Sequence, residues 1–154
     1  MSRFAIERIQ VAVAPERVVL RADELSAEHA PVLHFGPPRS QIAAWMLGPR
    51  IVGIGDVPSS AGVEHSVRVF DLGSKLPPGV TRAACIGIFF RHAFAPLIKQ
   101  RLFRTRTVVE LAGVDRLRAT LGAEAELLMR QGLRAAGAAR IDLTPHSGLS
   151  GSAA

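Results

Sequence analysis

The sequence predicts one α/β domain, a mixed sheet with helices, and three observations carry that expectation. Apolar residues alternate with polar or small ones around Ile9, Val11 and Val13, and short apolar runs broken by Pro and Gly continue to Phe70, as half-buried strands do. From Thr81 the apolar spacing changes to three and four residues, the stripe of an amphipathic helix. The last third then gives a β-branched run, a second helical stripe and a short apolar run. That is the order of a strand–helix–strand crossover. With 154 residues and 48% hydrophobic content, the chain has material for one core and is too apolar for intrinsic disorder.

Residues 4–21 read as two short strands around Ala14-Pro15-Glu16-Arg17, a hairpin signal. Val32, Leu33 and Phe35 make a third strand candidate stopped by Gly36-Pro37-Pro38, while residues 40–47 are ambiguous. Ile51–Ile54 is a further strand ending at Gly55-Asp56, residues 58–62 are loop, and residues 66–70 are the next strand candidate. Thr81 is placed to cap a helix whose stripe runs from Ala83 to Leu102, with Pro96 bending or restarting it. Thr107–Leu111 reads as a strand and residues 113–122 as a loop or short helix. Residues 123–136 form a second helix, with Leu127, Leu128 and Leu133 inward and Gly137 at its C-terminus. Ile141-Asp142-Leu143 is the last strand, giving a domain over residues 1–145 and a small, polar tail over 146–154.

A disulfide scaffold is excluded because Cys85 is the only cysteine. Its apolar setting suits a buried thiol in a reducing compartment. Residues 1–10 carry Arg3, Glu7 and Arg8 and lack the apolar core of a secretory signal. No uncharged apolar run is long enough for a membrane span, so a cytoplasmic location is expected.

The histidines His29, His34, His65, His92 and His146 share no helical ligand spacing, so no metal site is expected. Glu124 and Glu126 are better explained by a helix dipole than as a catalytic pair. Asp56, at a strand end, and Cys85 are the residues a small enzyme would use, but neither has a convergent partner in the sequence. Neither GxxxxGK[ST] nor GxGxxG occurs.

The formal charge of +6 is concentrated. No acid occurs between Leu72 and Val109, where Lys75, Arg82, Arg91, Lys99, Arg101, Arg104 and Arg106 lie. This excess is either a solvated helix face with the loop after it, or an anion-binding surface formed by Arg91, Lys99, Arg101, Arg104 and Arg106. The second reading would suit an anionic membrane or nucleic acid. Phe103 is the only aromatic among those arginines beyond the helix, so a base-stacking module is not indicated.

The element order and several strings resemble the N-terminal half of the actin-like ATPases, of the bacterial rod-shape type represented by MreB. Ile51-Val52-Gly53-Ile54-Gly55-Asp56 is similar to the family's Val-x-x-Val-Gly strand end, and the strand over residues 106–111 sits where a comparable strand precedes a helix. Residues 127–143, with Ala-Gly-Ala before an apolar strand, are similar to its helix–strand unit. The resemblance implies a single actin-like, ribonuclease-H-like half-domain, with the turn over residues 12–18 beside the Ile51–Asp56 strand in one sheet. The family's first hairpin carries Asp-x-Gly-Thr-x-x-Thr, which organises magnesium and holds phosphate. A gapless match puts Ala12 at the Asp, Ala14 at the Gly, Pro15 at the first Thr and Val18 at the last. Proline has no N–H to donate, alanine has no carboxylate, and Glu16 adds a negative charge. The expectation is therefore a pseudo-ATPase with no cofactor and no catalysis, acting through a protein partner or a second copy in cell-shape or envelope organisation.

Overall fold

The computed structural model describes residues 5–37, 40–42, 50–56, 62–98 and 105–144. Among them the strands are β1 (Ala5–Ala14), β2 (Arg17–Ala22), β3 (Leu25–His29), β4 (Val32–Gly36), β5 (Arg50–Ile54), β6 (His65–Arg68), β7 (Thr105–Ala112) and β8 (Ala138–Leu143). The helices are α1 (Arg82–Phe94), α2 (Arg118–Leu121), preceded by a 3-10 turn over Val114–Leu117, and α3 (Ala125–Ala135). The larger sheet has five strands in the order β3-β2-β1-β7-β8, and a smaller one has the order β5-β4-β6. β1 pairs antiparallel with β2 and parallel with β7, and β7 is parallel to β8. The mixed α/β architecture agrees with the sequence reading.

The hairpin forms as expected, with Ala14 paired to Arg17 and Pro15-Glu16 at the turn. Period two then divides the sheet. Ile9, Val11 and Val13 of β1, Val18 and Leu20 of β2, and Val109 and Leu111 of β7 are buried on one face. α1 and α3 complete the core over that face, contributing Ile86, Phe89, Phe90, Met129 and Leu133. The rings of Phe89 and Phe90 meet edge-on at 5.3 Å, and Phe70 and Phe94 extend this aromatic cluster. α1 and α3 approach closely because Gly132 faces Gly87; a Cβ on Gly132 would lie 2.4 Å from the Ile86 side chain.

Thr81 caps α1 as expected, its hydroxyl accepting from the Ala84 N–H at 3.1 Å. The helix ends at Phe94 instead of running to Leu102, because Pro96 cannot supply the next backbone N–H. Leu97 and Ile98 continue only as turns bonded to the Phe94 carbonyl, and Leu102 lies outside the described residues.

Four further expectations are corrected. β3 was not foreseen: Leu25-Ser26-Ala27-Glu28-His29 has weak strand character and is held as an edge by pairing with β2. β5 pairs with β4 in the smaller sheet, so Ile51–Ile54 is not in the sheet of the hairpin. Leu127 is not inward but 52% exposed: α3 begins at Ala125, and its buried residues are Ala125, Met129, Gly132 and Leu133. β8 starts at Ala138, earlier than expected, because Gly137 at φ 109° turns the chain directly out of α3. The tail over residues 146–154 lies outside the described residues.

Candidate functional site

The three parallel strands β1, β7 and β8 point their carboxyl ends the same way, and open α/β sheets bind ligands at such ends. Three pieces of chain meet there. The first is the β1–β2 hairpin. The second is the turn at Gly113, whose φ of 90° admits little but glycine. A Cβ on Gly113 would come within 2.3 Å of the Val13 carbonyl oxygen, so this turn lies directly against the end of β1. The third is Thr144, whose backbone N–H donates to the Leu111 carbonyl at 2.8 Å and whose hydroxyl donates to the same oxygen at 3.3 Å. Beside them lies a cavity of about 170 Å³, where Asp115, Arg118, Glu126 and Thr144 surround Leu111 and Leu143. Sequence reasoning missed Asp115, Arg118 and Thr144. Only the parallel pairing of β7 with β8 brings them together, although each sits just past an apolar strand.

The hairpin offers this end of the sheet little chemistry. Ala12 and Ala14 are half-buried methyl groups, Pro15 has no N–H, and Val18 is wholly buried in the core. Glu16 is exposed at the turn, and Arg17 is engaged by Glu28 at 3.2 Å.

The other sequence candidates lie elsewhere. Asp56 is exposed at the end of β5, in the smaller sheet. Next to it, the Gly55 carbonyl accepts from His34 Nε2 at 2.5 Å. A neutral His34 ring therefore carries its proton there, and Nδ1 accepts from the Ser66 hydroxyl at 2.7 Å. His65 donates through Nε2 to the Lys75 carbonyl at 2.8 Å and stacks on Phe35. His29 ends β3 with its ring edge-on to Phe89 and its buried Nε2 without a hydrogen bond; burial pushes its pKa down. These histidines do local structural work. His92 is exposed on α1, and His146 lies outside the described residues. Among the described residues no three His, Cys, Asp or Glu side chains could hold a metal ion together.

Cys85 is fully buried in α1, and burial pushes its thiol up, with the Arg82 charge opposing this less strongly. That is the reverse of an activated nucleophile. Arg82 is itself buried, donating to the carbonyls of Arg68 and Ser74 and fastening the loop between β6 and α1.

The structure separates the two described members of the arginine cluster. Arg91 lies in the helix layer and donates to the Ala135 carbonyl at the end of α3, at 2.7 Å. Arg106 is exposed on β7, adjacent to the inward Thr107 and so on the opposite face of the sheet. Lys99, Arg101, Arg104 and Phe103 lie outside the described residues. No helix among the described residues is long and apolar enough to cross a membrane.

No family model matches the chain, and no curated protein matches its sequence. Solved structures do match its shape. The chain superposes on a non-polymerising MamK mutant bound to AMPPNP with a TM-score of 0.59, at 11% identity, over 94% of its length. It superposes on a MamK double helical filament with a TM-score of 0.61, at 10% identity, over 90% of this chain. The fold is an actin-like half-domain. The chain spans about two fifths of MamK, 42% and 41% in the two structures. At these identities the likeness concerns the fold alone.

Proposed function

We propose that this chain is a non-catalytic, nucleotide-independent actin-like element that works through protein–protein contact, with a protein partner or a second copy. The observation that supports this reading is the β1–β2 hairpin. It lies at the carboxyl end of the parallel strands, yet Ala12, Ala14, Pro15 and Val18 give it neither carboxylate, hydroxyl nor a full set of N–H donors. Holding a magnesium–triphosphate group requires hard oxygen ligands and phosphate-facing donors. On this reading no cofactor is needed, and the cavity sets the carboxylates of Asp115 and Glu126, the latter paired with Arg130, beside the single guanidinium of Arg118.

The likeness to MamK, one structure of which is a filament, supports an assembly role. The strings shared with MreB suggest cell-shape or envelope organisation in a bacterial cytoplasm as its setting. A thermal-melt titration with magnesium and ATP, repeated with AMPPNP, tests the central claim. The expected outcome is an unchanged melting temperature at millimolar nucleotide. Saturable stabilisation would overturn it, since a ligand that binds only the folded state must raise its stability.

A further inference from the structure

Alternation along the strands leaves one face of the five-stranded sheet without a covering layer among the described residues. Arg8, Gln10, Ala12 and Ala14 of β1 lie there, with Val19 and Arg21 of β2 and Arg106, Val108 and Glu110 of β7. Sheets with parallel strands are ordinarily covered on both faces. β1, β7 and β8 form a parallel trio that the described residues cover on one face.

The charges on this face are unevenly matched. Each of its carboxylates is held by an arginine: Glu110 by Arg8 at 3.3 Å, Glu28 by Arg17 at 3.2 Å and Asp142 by Arg140 at 2.9 Å. Arg21 and Arg106 have no ion pair among the described residues. Among the described strand residues of this face, an incoming surface therefore meets two guanidinium groups outside any ion pair and no unpaired carboxylate. Alongside, Ala12 stands level with Val19 on one side and Ala112 on the other, a shallow strip of small side chains across three strands. Such a strip lets a helix come close to the sheet.

We propose that this face docks an acidic amphipathic helix of a partner protein, its apolar side on Ala12, Val19 and Val108 and its carboxylates on Arg21 and Arg106. The register fixes the spacing. Arg21 is level with Gln10 and Arg106 with Ile6, so they stand two strands apart and four residues apart along the strands. That is roughly 16 Å between backbone positions, or about three turns of a helix lying on the sheet. The inference rests on the reading that the chain works by protein contact. That reading fails separately, in the magnesium–ATP melt.

The test uses the full chain and three synthetic helical peptides: an acidic amphipathic one with glutamates three turns apart, its lysine counterpart, and an acidic one of the same composition with the apolar residues scattered. Fluorescence anisotropy measures affinity, and amide shifts locate the contact. The acidic amphipathic peptide is expected to bind best and to shift Ala12, Val19 and Val108. The pair Arg21→Glu and Arg106→Glu should weaken it by about tenfold or more, while Arg91→Glu on the other side of the sheet should not. Absence of binding, equal binding of the scattered peptide, or shifts confined to α1 and α3 would each overturn the proposal. So would salt-sensitive DNA binding through Arg21 and Arg106 with no preference for the amphipathic peptide.

Discussion

The two faces of the five-stranded sheet are made by the same strands and differ in almost every property. On one, Ile9, Val11, Val109 and Leu111 are at most 1% exposed and pack against α1 and α3. On the other, one residue along in each strand, Arg8, Gln10, Arg21 and Arg106 are exposed. The covered face is fixed by volume and shape, since close-packed interiors tolerate little change. The other is fixed by charge pairing across strands, which is worth little for stability but sets what a partner meets. Stability and recognition are thus separated by a single residue step along the strand.

The comparison breaks most visibly if the covered side proves tolerant. Phe89 is fully buried between Phe70, Phe90 and His29. Phe89→Ala should cost about 3–5 kcal/mol through lost burial and the cavity left behind, read by urea denaturation. Gly113→Ala should cost a similar amount, at least about 3 kcal/mol, although it adds only a methyl group. Its φ of 90° is unfavourable for alanine, and the atom 2.3 Å away is the Val13 backbone carbonyl, which cannot swing aside.

These two positions also show how far the sequence was legible. Phe89 sits on a helical stripe that the three- and four-residue spacing announces, and Thr81 announces its cap. Gly113 follows a β-branched run, which marks a turn, but its contact with Val13 depends on β1 lying parallel to β7, about a hundred residues apart in the chain. Pairing of distant strands leaves no local mark, which is why β5 was expected beside the hairpin and belongs to the smaller sheet. Leu127 turns outward for a different reason: at about 100° per residue Ala125, Met129, Gly132 and Leu133 share one arc of the helix, and Leu127 falls on the opposite side of it. At the candidate site, it is the resemblance that implies Ala12, Ala14 and Pro15 stand at the family's phosphate-holding positions. The grouping of Asp115, Arg118 and Thr144 again required long-range pairing.

A smaller effect sharpens the contrast at the junction of the two sheets. His29 ends β3, two residues before Pro31 leads into β4, and burial holds its imidazole below the usual value of 6.5. As pH falls, the unfolded chain takes up this proton first. Stability therefore declines from near neutrality down through the folded pKa, and this contribution is flat below it. His29→Phe should remove that part of the slope while leaving the fold intact, measured as denaturation midpoints at about pH 7.5 and about pH 5. An unchanged slope would mean that the ring is freely solvated, against its buried Nε2.

The smallest expected effect is the most direct test, because it compares neighbouring residues. Ile9 is 1% exposed on the covered face, and Ile9→Ala should cost about 2–5 kcal/mol. Arg8 reaches the other face, where its guanidinium meets Glu110 at 3.3 Å with 64% of its own side chain still exposed. Water screens that pair, and holding two long side chains in one geometry offsets part of its attraction. A double-mutant cycle of Arg8→Ala with Glu110→Ala should return a coupling of only about 0.2–1 kcal/mol, falling as salt is added. A coupling of several kcal/mol would mean that this pair is shielded from water. The face would then already carry a cover, a second copy in solution being the first to look for by sedimentation, and it would not be open to a partner helix.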